Sequence, residues 1–185
     1  MSSYFLIVDL EATCCDDGSI FREEMEIIEI GAVMLNRSTW KIDSEYQQFI
    51  KPVRHPILTN FCTELTTITQ QDVDTAPNFT DVIPLFKQWI DSYPKNTFCS
   101  WGNYDKTQFI QDCKFHNLAY PFGAEHRNIK KEFSIYFRNP KKSFGMTKAL
   151  NYLGLQLQGT HHRGIDDARN IAAIYKYMNQ NKGNS

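Results

Sequence analysis

Cysteine is scarce in this chain and falls in no recognisable framework. Cys14, Cys15, Cys62, Cys99 and Cys113 are odd in number and lack CxxC spacing, which argues against both a disulfide scaffold and a structural zinc site. A reducing, cytoplasmic setting is the expectation. Long apolar runs are missing too. The first, from Tyr4, is broken by Asp9 and Glu11, so neither a signal peptide nor a membrane span is expected. An excess of one charge is also lacking: the net charge is −1, which excludes a strongly basic nucleic-acid coat. With no repeat, low-complexity tract or long linker in the 185 residues, the reading is a single domain over 1–180 with a short tail, 181–185.

What is present is unevenly placed. Residues 1–50 carry ten acids against three bases, whereas in 120–150 seven bases (Arg127, Lys130, Lys131, Arg138, Lys141, Lys142, Lys148) face only Glu125 and Glu132. The second segment could hold a polyanion beside an acidic centre, and solvated helix faces would explain it equally well. Strands are expected at Tyr4–Leu10, Ile27–Leu35 and Tyr46–Ile50, with a turn at Asn36–Ser38, as an antiparallel meander. Helices follow, with a capping-box start at Thr69–Asp72 and apolar spacing through Phe79, Ile83, Phe86 and Ile90. A strand at Thr97–Trp101, a helix at Asp105–Phe115, strand or coil near Asn128, and late helices near Phe144–Leu153 and Asp166–Met178 complete the pattern. This order predicts an α/β three-layer fold with a mixed five-stranded sheet flanked by helices.

Five polar residues interrupt this apolar framework where strands end or helices begin. Asp9 and Glu11, two apart on one strand, share a face. Buried carboxylates need a partner, and a close acidic pair asks for a cation, with Mg²⁺ the natural choice of hard ion. Asp105 follows the strand at Thr97–Trp101, at the carboxyl end of the sheet where sites form. In His161-His162-Arg163-Gly164-Ile165-Asp166-Asp167, helical phase decides between two pairs. From Asp167 it runs through Ile171, Ile174, Tyr175 and Met178, so Asp167 points inward and Asp166 outward. His162 and Asp167 are therefore assigned to the site. Singly, each has a plainer reading: Asp105 as a helix cap, His162 as a loop histidine.

Together, the motifs Phe5-Leu-Ile-Val-Asp9-Leu-Glu11-Ala-Thr13, Ser100-Trp-Gly-Asn-Tyr-Asp105 and His162-Arg-Gly-Ile-Asp-Asp167 resemble those of the DEDDh three-prime-to-five-prime exonucleases, of the ribonuclease H-like superfamily. Leu10–Cys14, Glu26–Ile30, Phe61–Thr66 and Ile68–Val73 are similar to the subgroup that degrades histone mRNA and small RNAs. The sister class has a tyrosine where His162 stands, and no tyrosine lies between Gly154 and Tyr175.

The resemblance implies that Asp9, Glu11, Asp105 and Asp167 hold two Mg²⁺, with Mn²⁺ an acceptable substitute, and that RNA 3′ ends are shortened to nucleoside 5′-monophosphates. Two metals about 3.5–4 Å apart can serve attacking water and leaving oxygen together. His162, with an ordinary pKa of about 6.5, suits the general base that the resemblance also implies. It further implies that Ala12 and Thr13 meet the terminal sugar and that Leu65 and Thr66 lie near the last base. Phe61 and Trp101 offer stacking surfaces or core packing. RNA is favoured over DNA, with short or single-stranded ends expected. A catalytically silent RNA-binding module and a DNA proofreading or repair exonuclease stay open as alternatives.

Overall fold

In the computed structural model, residues 3–137, 139 and 142–181 are described, so Arg138, Lys141 and most of the expected tail lie outside the described residues. Three strands come first: β1 (Tyr4–Ala12), β2 (Ile27–Asn36) and β3 (Ile42–Phe49), paired antiparallel as a meander. β3 begins four residues before the expected Tyr46, because it is an edge strand whose alternate residues are exposed and polar. Two short helices, α1 (Asn60–Thr66) and α2 (Gln70–Asp74), precede α3 (Phe79–Asp91). The capping box at Thr69 is formed, with Asp72 as its reciprocal acceptor.

The chain then returns to the sheet as β4 (Asn96–Ser100), parallel to β1, crosses through α4 (Tyr104–Phe115), and adds β5 (His126–Asn128) parallel to β4. The sheet order is β3-β2-β1-β4-β5, mixed and five-stranded as expected. After β5 the structure has a helix the sequence reading did not assign, α5 (Ile129–Tyr136), capped by Asn128. It is followed by α6 (Met146–Leu153) and α7 (Gly164–Gln180).

Strand alternation sorts the core into two layers. Leu6, Val8 and Leu10 of β1 pack with Phe86 of α3 and Phe109 of α4, whereas Phe5 and Ile7 pack under α5, α6 and α7. Each layer buries about a dozen or more apolar side chains, and each large one contributes roughly 1.5–3 kcal/mol. The same alternation carries Asp9 and Glu11 onto the α7 face, as the continuation of Phe5 and Ile7. No helix among the described residues is long and apolar enough to cross a membrane.

Candidate metal and nuclease site

The site is created where the sheet runs out. β1 pairs with β4 only as far as Ile7 opposite Cys99 and continues to Ala12 without that neighbour. The amide of Leu10 on the vacated edge donates instead to Asp105 Oδ1, 3.1 Å away, in the first turn of α4. A strand N–H that would lack a partner thus fixes a carboxylate beside Asp9 and Glu11.

On the other side, α7 arrives by backbone contact. Gly31 of β2 lies opposite Asp9, and a Cβ there would overlap the backbone of Gly164 and Ile165. A Cβ on Gly164 would stand 3.0 Å from the Asp9 carbonyl and from the Gly31 nitrogen. This glycine pair lets the start of α7 press on β1 and β2 and delivers Asp167 to the strand acids. Glu29, fully buried opposite Glu11, holds the junction: it accepts from the Gly164 amide at 3.0 Å, from Arg163 Nε at 3.2 Å and from Gln47 Nε2 at 2.7 Å.

As a result, carboxylate oxygens of Asp9, Glu11 and Asp167 lie within 4.8 Å of one another. Asp105 lines the same cavity, of about 390 Å³, without belonging to that tight triad. Burial, and then Asp105, Glu11 and Asp167, push Asp9 well above the usual carboxylate range. Burial, then Asp167 and Glu29, raise Glu11 to about 9. Burial lifts Asp105 to about 6 against the pull of its backbone donors, the Leu10 amide among them. Like charges this close and this dry do not ionise together without a cation. Asp167 supplies the clearest sign of fit, for its Oδ1 is buried with no hydrogen-bond partner, and an orphaned oxygen on a carboxylate grouped with two other acids suits a hard divalent ion.

The two histidines divide their tasks differently from the sequence reading, which paired His162 with Asp167 and left His161 aside. Here it is His161 whose Nδ1 bonds Asp167 Oδ2, at 2.9 Å, while His162 gives the same oxygen its backbone amide at 3.1 Å. The rings stack with centroids 3.9 Å apart, and both line the cavity. His162 has left-handed backbone, φ 63°. Burial, then His161, hold His162 below the usual imidazole range against the opposing influence of Asp167. Asp166 is not among the cavity's lining residues and accepts from Thr160 N and Arg169 Nη1, but the face expected to be outward is partly covered, with Asp166 half-buried and Asn170 fully buried.

Of the six expected substrate contacts, Ala12, Leu65 and Trp101 line the cavity, and Thr13, Phe61 and Thr66 are not among its lining residues. Thr13 Oγ1 accepts from the Glu26 amide, and buried Thr66 donates to the Cys62 carbonyl, so both hydroxyls are occupied in scaffold bonds. Trp101 is anchored through Nε1 to the Phe144 carbonyl at 3.1 Å and packs on Phe133. Tyr104, with the Arg22 guanidinium 4.6 Å over its ring, also lines the cavity, as do Cys14 and Met146. A slightly larger cavity, about 470 Å³, lies between β3 and α7; its one acid, Glu45, is paired with Arg169.

A family model described as exonuclease, of the RNase T type, matches residues 6–175, almost the whole chain. The chain belongs to the RNase T exonuclease family. Within this family it is 34% identical to 3′–5′ exoribonuclease 1 of Rattus norvegicus over 184 residues, covering 96% of this chain and 53% of that protein. It spans about half or less of the length of the curated relatives it matches. The nuclease domain of 3′hExo, a DEDDh family member, in a structure bound to rAMP, superposes with a TM-score of 0.90 at 33% identity, covering 97% of this chain and 93% of that one. A 3′-exonuclease described in 3′-end-specific recognition of the histone mRNA stem-loop gives 0.90 at 32%, covering 97% and 64%. The DEDDh resemblance and the ribonuclease H-like fold are thereby established, and with them a family dependence on divalent metal.

Proposed function

We propose that this chain is a Mg²⁺-dependent 3′–5′ exonuclease that removes nucleotides from RNA ends as nucleoside 5′-monophosphates. One observation carries the reading: Asp9, Glu11 and Asp167 converge within 4.8 Å, with an unpartnered Asp167 oxygen, beside a histidine ring in a 390 Å³ cavity. Asp9, Glu11, Asp105 and Asp167 would hold the metal, two ions on the reading adopted here. When bound, it would offset their charge and that of the phosphate and make water easier to deprotonate. His162, kept neutral near pH 7 by its depressed pKa, takes the proton of the attacking water. His161 orients Asp167 by its Nδ1 bond. Leu65, 36% exposed, and Trp101, both lining the cavity, would flank the terminal base, and Ala12 would abut the sugar.

The likeness to a nuclease domain bound to rAMP supports a ribonucleotide product and hence RNA over DNA. Five free thiols support a reducing, cytoplasmic location. The test is digestion of 5′-labelled single-stranded RNA and DNA of one sequence, each with Mg²⁺ and with EDTA. A metal-dependent ladder receding from the 3′ end, faster on RNA, is expected. Uncut label in every lane with folded protein would overturn the reading and favour a binding module, and faster DNA cleavage would move the substrate to the repair class.

A further inference from the structure

The bases of the segment at 120–150 have no part in the chemistry above. Of its seven bases, Arg127 is consumed by Glu132, to which it makes two bonds of 2.8 and 2.9 Å. Arg138 and Lys141 lie outside the described residues. The other four, Lys130, Lys131, Lys142 and Lys148, all line two adjoining cavities, of about 340 and 440 Å³, that share Lys142 and Ser143. No acid lines either one, and none of these four lysines has an ion-pair partner among the described residues.

The first of these cavities abuts the acid site. Its wall takes Gly102 and Asn103 from the loop that gives Trp101, Tyr104 and Asp105 to the metal cavity, and Ser143 from the segment that gives Gly145 and Met146. The stem of Lys130 lies over Gly102, whose Cβ, if present, would stand 3.9 Å from Lys130 Cδ. Asn128 caps α5 and bonds Asn103 at 3.0 Å, which ties the basic wall to the acidic one. In the second cavity Tyr152, 55% exposed, offers a ring face beside Lys142.

From this row of three cavities we infer that Lys130, Lys131, Lys142 and Lys148, with Tyr152, form a track for the sugar-phosphate backbone of a single strand 5′ of the bond at the acid site. The inference rests on the exonuclease reading for the strand's direction. Point charges on flexible stems beside an aromatic face bind backbone without reading sequence. The strand would leave the metal cavity, which holds only the reacting phosphate, and enter a basic one that attracts the phosphates upstream of it. Only its last nucleotide would then need the metal.

Binding is read in EDTA, where nothing is cut, with a 5′-fluorescein decauridylate and a diuridylate as probes. Wild type should bind the decamer at least about tenfold more tightly. The variant Lys130→Ala/Lys131→Ala/Lys142→Ala/Lys148→Ala should bring the decamer down to dinucleotide affinity. It should also flatten the slope of log K against log salt by about 0.7 for each lysine that meets a phosphate. In Mg²⁺, kcat/KM should fall at least about tenfold on the decamer and stay unchanged on the dinucleotide. The control Lys41→Ala/Lys176→Ala, in the groove between β3 and α7, should leave both intact. Equal binding of the two probes by wild type, an unaffected quadruple variant, or an equal loss in the control would each overturn the track. Failure of the exonuclease reading shows separately, as an uncut decamer in Mg²⁺ whatever the lysines do.

Discussion

At the scale of the residue, the two stacked histidines are the sharpest test of the chemistry, because they touch the same carboxylate in different ways. His161 holds Asp167 Oδ2 by its ring, whereas His162 holds it only by its amide and keeps its ring for the cavity. His162→Ala should therefore cost roughly 10²–10⁴-fold in kcat, the usual contribution of a positioned general base, with Mg²⁺ affinity unchanged by calorimetry. His161→Ala removes an orienting bond and should instead weaken metal binding about 10–100-fold, as loss of such outer partners does. Interchanged results would make His161 the base. Asp167→Ala should stay folded and lose both metal affinity and turnover, since the deleted carboxylate is one of three within 4.8 Å. Undiminished turnover in that variant would refute the metal assignment. The sequence could choose Asp167 over Asp166 because helical phase is a rule for helices; it took His162 along by spacing and missed the His161 ring bond, because both histidines precede α7, in turn conformation where no period applies.

Among the elements, the contact that matters most is the crossing of α7 over β1 and β2. Gly31→Ala would drive a methyl group into the backbone of Gly164 and Ile165, and neither side of that contact can rotate away. We expect a loss at the upper end of the overpacking range or beyond, more than about 3 kcal/mol. It should appear as a lower urea midpoint at constant m, with activity lost even where the protein is still folded, because Asp167 would be lifted from Asp9. An alanine variant of wild-type stability would show that α7 does not rest on that strand. Strand alternation made Asp9 and Glu11 legible in the sequence, and the buried stripe of α7 did the same for Asp167. The glycine contact was invisible because Gly31 reads as one more small residue in an apolar strand. Glu29 was readable in principle: an acid between Ile28 and Ile30 in a fully buried strand requires a partner, by the argument applied to Asp9. Helix α5 escaped because its eight residues follow a three-residue strand directly, with only Asn128 to mark the start.

For the molecule as a whole, the acid cluster couples stability to pH and metal in a direction opposite to that of most proteins. Burial raises Glu11 to about 9, Asp105 to about 6 and, away from the site, Asp112 to about 7. In the unfolded chain these groups titrate near 4. Between pH 4 and 9 these carboxyls bind more protons in the folded state than in the unfolded one, so their contribution to stability falls as pH rises through that window, opposed below pH 6.5 by His116, His126 and His162, which burial holds below the usual imidazole range. Divalent metal reverses the balance, because it binds the ionised carboxylates of the folded state alone, releases their protons and adds RT ln(1 + [L]/Kd). Thermal melts at pH 5.5, 7.0 and 8.5 in EDTA should show a falling Tm, and the rise produced by 10 Kd of Mg²⁺, about 1.4 kcal/mol at any one pH, should need progressively less total Mg²⁺ as pH increases. An EDTA melt that climbs from pH 5.5 to 8.5 would mean that the carboxylates are already ionised and paired within the protein. Asp112→Asn separates the two contributions: it should flatten the EDTA slope near pH 7 while leaving the metal-dependent rise untouched, since Asp112 sits with Arg54, Gln108 and the Ile27 amide and outside the metal cavity.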